Sequence, residues 1–470
     1  MKRFLLPLVA LFVVVSLCAC LGSNDDETEY TDDTAITAFS LGTLNRYLHT
    51  LSSTNTDSVY KTTVTGSNYK FYIDQTKCEI YNPDSLPYGT DAEHVICTIS
   101  AKNSGTVLIK SLTSDSLSYY SSSDSLDFTS PRTMIVYSYS GKEYREYTVH
   151  VNVHQEEADS FVWKAMSKQT ELAALQTMKG MCVDGKLLVF GNNGENTVLY
   201  SSAQQDGNTW MKSSQTFSLD AYKNIVKKNG VLFMKDGNRL LSSDDGTQWT
   251  ERSEIDVRQL VAASTVALYA IDNDGKLVSS YDEGTTWTAE GMDDDMTLLP
   301  AQNISYSCIA SRVNDKTDHL VLVGNRDTNA YPNDAYAELW GKVEEYAEGA
   351  TSHSWSYYDV KDDVRFRLPR LSGLTVFPYA DVLVAIGGDG IGACTEEGFT
   401  QMYVSHDGGI NWKHSDYFPL PSGMSSSDTA FTAFADDNKF IWIVCGESGQ
   451  IWRGRLNKYG WAEVQTSFTE

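Results

Sequence analysis

Apolar and polar positions follow two different rules along this chain. Between residues 35 and 157 they alternate with period two in short runs, the cleanest being Tyr147-Thr148-Val149-His150-Val151-Asn152-Val153. Successive side chains of a strand point to opposite faces, so this pattern predicts half-buried strands. Residues 69–73 and 134–139 follow the same rule, and Gly141-Lys142 supplies a hairpin turn from the latter into the last strand. A β-sandwich is predicted for 35–157. From 158 to 470 the units are short apolar runs, among them 187–190, 231–234, 266–271, 319–323, 382–386 and 440–446, each followed by a turn and a second strand.

Within 158–470 a local pattern recurs. Ser-x-Asp-x-Gly-x-x-Trp is met three times without a gap: Ser242, Asp244, Gly246, Trp249; Ser280, Asp282, Gly284, Trp287; and Ser405, Asp407, Gly409, Trp412. The residue types suit a tight turn. Asp accepts backbone N–H bonds, Gly takes a conformation other residues resist, and Trp packs the hairpin onto its sheet. Degenerate copies end at Trp210, Trp355 and Trp461. The pattern resembles the Asp box of bacterial-neuraminidase-type (BNR) repeats. That resemblance implies a β-propeller over 158–470, with the box residues structural and on the outer rim. Six repeats predict six blades. Phe161-Val162-Trp163 resembles the strand after a box, so it either seals the sixth blade or begins a seventh. The expected fold class is therefore all-β, a β-sandwich followed by a propeller.

The first residues carry an address. Lys2 and Arg3 precede an apolar stretch of about thirteen residues, shorter than the roughly twenty needed to span a bilayer. Leu17-Cys18-Ala19-Cys20 resembles a bacterial lipobox, which implies a signal peptide over 1–19 and a lipid on Cys20. The acidic, polar segment 20–34 reads as a solvated tether and resembles the export signal of Bacteroidota-type surface lipoproteins. Segments from Ile80 to Val153 look like the cadherin-like or Ig-like spacers of such proteins. The implied location is the outer membrane, lipid-anchored and exposed at the cell surface, with the membrane reached only through the lipid.

Composition removes some functions. With 62 acidic against 37 basic residues and a net charge of −25, the chain lacks the clustered basic residues that phosphate backbones demand, so nucleic acid is excluded as a partner. No Cys, His or acid cluster has metal-ligand spacing. Segments 272–275 and 387–392 mimic calcium and nucleotide signatures but join strands, so neither metal nor cofactor is expected. Cys78 and Cys97 have a spacing that leaves their pairing open.

A sialidase would need three arginines on the substrate carboxylate, the first ahead of the first box. No arginine occurs between Arg145 and Arg239. Arg365 and Arg367 lie in an Arg-Phe-Arg-Leu-Pro stretch too late in the repeat order, and no catalytic residue is assigned. Long inserts at 326–337 and 387–401 offer binding surfaces, with Tyr331, Tyr336, Phe399 and Tyr403 as stacking candidates. The reading is non-catalytic binding of a glycan or protein through the propeller face; the alternative is a divergent glycan-active hydrolase.

Overall fold

The computed structural model describes residues 32–51, 57–359, 364–424 and 430–461. The expected signal peptide, Cys20 and nearly all of the tether lie outside these residues. Among the described residues the regular elements are β-strands and short 3-10 turns, and no helix is long and apolar enough to cross a membrane. The chain divides into two compact units between Glu157 and Ala158.

In the first unit a six-stranded sheet runs in the order Tyr72–Asp74, Glu79–Tyr81, Tyr144–His150, Arg132–Tyr137, Thr106–Lys110, Leu117–Tyr119. Only Glu79–Tyr81 against Tyr144–His150 is parallel in this sheet. Ile36–Leu41 pairs with Cys97–Ala101, and Ile36, Phe39, Leu41 and Cys97 share one core with Val107, Met134, Tyr147 and Val149 of the larger sheet. The last strand stops at His150, short of the alternation that predicted it to Val153. Asn152 leaves the ladder because Asn82 takes over its backbone: Asn152 N donates to Asn82 Oδ1 at 2.7 Å and Asn82 Nδ2 to Asn152 O at 2.9 Å. Gly141, at φ +73°, makes the expected turn, with Gly141 N donating to Ser138 O at 2.9 Å. Cys78 and Cys97 are separate thiols; burial pushes that of Cys97 up to about 12.

The second unit contains six four-stranded antiparallel sheets among the described residues. In chain order their inner strands are Thr177–Val183, Ile225–Lys228, Gln259–Ala263, Gln302–Ala310, Thr375–Tyr379 and Phe431–Ala435. From the second to the sixth, each inner strand lies beside the next, and the sixth lies beside the first. The seam between the first and second is spanned by side chains: Lys179 Nζ donates to Ile225 O at 2.8 Å and Lys227 Nζ to Cys182 O at 3.3 Å. The second unit is thus a ring of sheets about one axis.

This packing explains why the apolar runs lose their alternation. Each sheet is covered on both faces by its neighbours, so adjacent residues of one strand enter different cores. Leu187 and Val189 join the sixth sheet's Trp442 and Val444, while Leu188 and Phe190 join the second sheet's Leu232 and Met234. All four are wholly buried, each worth about 1.5–3 kcal/mol relative to exposure.

Closure falls to the start of the unit. Phe161–Ala165 is the outermost strand of the sixth sheet, antiparallel to Ile451–Leu456. Trp163 stands opposite Gly454, where a Cβ would lie 2.4 Å from the indole, and its Nε1 donates to Pro419 O at 2.7 Å. The sheet edge left by the last strand is thereby covered.

Candidate functional site

In an antiparallel meander the first-to-second and third-to-fourth connections share one end of the sheet, and the second-to-third connections lie at the other. The Ser-x-Asp-x-Gly-x-x-Trp segments join third and fourth strands. The inserts 326–337 and 387–401 join second and third strands. The sequence motifs and the inserts therefore occupy opposite ends of the ring.

At two motifs the turn bonds fall on the expected residues. Ser280 Oγ accepts from Gly284 N at 2.8 Å, and Asp282 Oδ1 accepts from Thr286 N at 2.8 Å. Ser405 and Asp407 repeat this with Gly409 N at 2.8 Å and Asn411 N at 2.9 Å. The indoles of Trp249, Trp287 and Trp412 donate to Gly246 O, Gly284 O and Gly409 O at 3.0, 3.1 and 2.8 Å.

The first motif departs from its sequence reading. Ser243 Oγ, not Ser242, accepts from Gly246 N at 2.8 Å, and Asp245, not Asp244, accepts from Thr247 N at 2.8 Å and Gln248 N at 3.0 Å. Asp244 faces solvent, and Ser242 Oγ accepts from Arg252 Nε at 2.6 Å. The turn is one residue tighter, with acid and glycine adjacent. Asp206-Gly207 ahead of Trp210 has the same compact form: Thr209 N donates to Asp206 Oδ2 at 2.9 Å and the indole to Gly207 O at 3.0 Å.

At the insert end, Arg370 is fully buried and spends its guanidinium on carbonyls, Nη1 on Tyr331 O at 2.6 Å and Nη2 on Arg326 O at 2.7 Å. Arg326 grips Asp334 with two bonds of 2.8 and 2.7 Å, reaches Glu338 at 3.2 Å and lies 3.8 Å over the Tyr331 ring. Arg367 stacks 4.3 Å over Tyr336, while the exposed Arg365 packs on Phe366 at 5.6 Å. Tyr357 donates its hydroxyl to Glu338, whose carboxyl is raised by burial even though Tyr357 and Arg326 oppose the shift. So Arg367, Tyr331 and Tyr336 are brought into one cluster, and Arg365 stays at its edge. Phe399, on the other insert, meets Phe431 edge-on at 5.0 Å. Tyr403 is held in the core between the fourth and fifth sheets, its hydroxyl accepting from Gln401 Nε2 at 3.0 Å.

The feature that sequence reading missed lies on the axis. The six inner strands enclose a cavity of about 750 Å³, in the range of small-molecule sites. Tyr222, Phe377, Phe431 and Phe434 give it an aromatic wall; Gln302, Asn303, Ser305, Thr375 and Thr432 add polar groups. Tyr306 reaches from the fourth inner strand to the second, accepting from Lys227 N at 2.7 Å and donating to Lys227 O at 3.0 Å. The third inner strand is set back behind it, so that Gln259 is its one contribution to the lining. The insert 326–337 borders the mouth through Thr328 Oγ1, 3.4 Å from Gln302 Oε1, and the insert 387–401 through Phe399.

The charge of the lining is one-sided. Lys179, Lys223 and Lys227 line the cavity, and no Asp or Glu does so among the described residues. Lys223 is paired with Asp220 at 3.0 Å. Burial holds the Lys179 ammonium down to about 8. The cavity thiols of Cys182 and Cys308 are pushed up to about 11 and about 12 by burial and neighbouring carboxylates, which makes them poor nucleophiles.

No curated protein sequence matches this chain significantly. Among solved structures it is similar to the N-terminal domain of Nup159, at 11% identity and a TM-score of 0.31 over 64% of this chain and 96% of that one. A Trichoderma reesei carbohydrate-active enzyme of family AA12 is similar at 9% identity and 0.40, over 64% and 96%. Trypanosoma rangeli sialidase is similar at 9% identity and 0.33, over 63% and 58%. Residues 39–151 match the DUF6242 N-terminal domain, a domain of unknown function. Residues 157–464 match the DUF6242 beta propeller domain, and with that match the ring of sheets is a β-propeller and the chain belongs to the DUF6242 family.

Proposed function

We propose that this chain is a lipid-anchored protein of the outer face of an outer membrane whose propeller binds a small ligand, of glycan size, in its central cavity without transforming it. The observation that carries the reading is the lining itself: aromatic and amide groups around about 750 Å³, with no carboxylate among the described lining residues. Glycoside hydrolysis by the usual route needs two carboxylates flanking the scissile bond. A concave volume of this size suits a small molecule better than a protein surface. The test is a glycan array followed by calorimetry on the mature chain and on Thr177→Trp, which places an indole at the first residue of an inner strand. Binding lost in that variant supports the cavity; binding that survives it moves the site elsewhere. Cys20→Ser, expected to leave the membrane fraction, tests the anchor, and retention of the variant with its lipid label refutes it.

A hydrolase remains the second reading because Tyr357 and Glu338 lie beside Arg326 and Arg367. The same pairing recurs where Tyr269 donates to Glu344 at 2.6 Å, buried between the third and fourth sheets. A Tyr–Glu pair is thus an ordinary packing device in this molecule.

A further inference from the structure

We propose that the cavity ligand is an anion, a small molecule bearing a carboxylate, sulfate or phosphate, with its negative group against the ammonium groups of Lys179 and Lys227. The inference rests on the reading that the cavity is the ligand site, and it names the chemistry of what enters.

Charge supplies the first argument. A chain with 62 acidic and 37 basic residues places three lysines and no described carboxylate along its axial cavity. Low-dielectric walls focus such a one-sided field onto the interior. Lys223 is spoken for by Asp220. Lys179 and Lys227 have carbonyl partners alone among the described residues, Ile225 O and Cys182 O. An ammonium carries three donors, so each keeps two unused. Asp437, whose carboxylate comes within 3.9 Å of the Cys182 thiol, is itself solvent-exposed on the turn beyond the sixth inner strand.

Cost supplies the second. If the two side chains served only to bridge the first and second inner strands, apolar residues would do so without desolvating a charge. The depressed proton affinity of Lys179 reflects that desolvation, and a bound anion would reverse it by favouring the ammonium form. Ser307, 3% exposed on the fourth inner strand, lines the same cavity with an Oγ that has no partner among the described residues. Its hydroxyl is a further donor for an anion's oxygen. The two lysines bond to opposite ends of their shared seam, Lys179 to the first residue of one strand and Lys227 near the last of the other. Such spacing along the axis suits an elongated acidic molecule more than a point ion.

The test is calorimetric and thermal-shift titration of the mature chain with inorganic phosphate, glucuronate and glucose as probes. Phosphate and glucuronate should bind saturably and glucose should not. Affinity for both anions should fall at least tenfold in the Lys179→Met, Lys227→Met double variant, persist in Lys179→Arg, and weaken as the pH is raised from about 7 to 9.5, through the range where Lys179 loses its proton. A cooperative thermal transition of the unliganded variants shows that they fold. Failure of both anions to bind the wild type overturns the proposal, as does equal binding to the double variant. A neutral ligand displaced by Thr177→Trp but indifferent to both lysines overturns this inference and leaves the cavity as the binding site.

Discussion

Lys179 stores its cost in a measurable way. Its ammonium is held near 8 in the fold against about 10.4 in an open chain. Between those values the unfolded chain carries a proton that the folded one does not, so stability rises with pH there; below about 8 both states are protonated and the penalty is full and constant. Urea unfolding at about pH 7 and pH 10 should therefore show the wild type gaining about 1–2 kcal/mol relative to Lys179→Met, a figure reduced because the side chain is only half-buried. A difference that does not change with pH contradicts this. The first motif gives a sharper residue-level test. Asp245 accepts two backbone bonds and one from Thr247, and the Thr247 hydroxyl foremost holds its carboxyl far below the usual range. Asp245→Ala should cost about 1–2 kcal/mol in thermal or chemical unfolding, the usual result of orphaning hydrogen-bond partners. Asp244→Ala should leave stability essentially unchanged, and the reverse order would restore the motif as written in the sequence.

Strands and turns were legible in the sequence to different degrees. The run 382–386 matches the strand Val382–Ile386 without error, and most others differ by one to three residues at an end. Turn chemistry is local, so the segments at Asp282 and Asp407 could be read directly. At Ser242-Ser243-Asp244-Asp245 two registers satisfy the residue types equally, and only the hydrogen bonds choose between them. The cavity was not legible because nothing in a single strand says which edge meets the axis: Lys179 in Thr177-Met178-Lys179-Gly180 reads as a solvent-facing position until the ring closes. Closure itself was half visible in Phe161-Val162-Trp163, whose partner strand lies nearly three hundred residues away. Removing residues up to 166 should expose the edge of Ile451–Leu456 and free the cover over Gly454. The expected outcome is a lower thermal midpoint together with dimers or larger species in light scattering, since an unpaired edge recruits other strands. A truncated chain that stays monomeric and equally stable would show that closure does not depend on this strand.

At the scale of the whole molecule, the two ends of the ring divide the work that the sequence had left together. The motif end holds turns whose donors and acceptors satisfy one another, and the insert end joins loops over the mouth of a cationic cavity. Arginine chemistry belongs to that second end, but it faces inward. A carboxylate clamp needs guanidinium forks pointed at open space, because their value is two charge-assisted bonds to the substrate. Arg370 is wholly buried against backbone carbonyls, Arg326 is committed to Asp334 and Glu338, and Arg367 lies flat on Tyr336. Freeing Arg326 would also leave the buried Glu338 short of a counter-charge, a cost of several kcal/mol for a charge without a partner. The mature chain should therefore not turn over a fluorogenic sialoside, and Arg367→Ala should leave the background rate where it was. Turnover that disappears in Arg367→Ala, with the thermal midpoint unchanged, would place a reaction at the insert end and make Tyr357 and Glu338 its reacting pair.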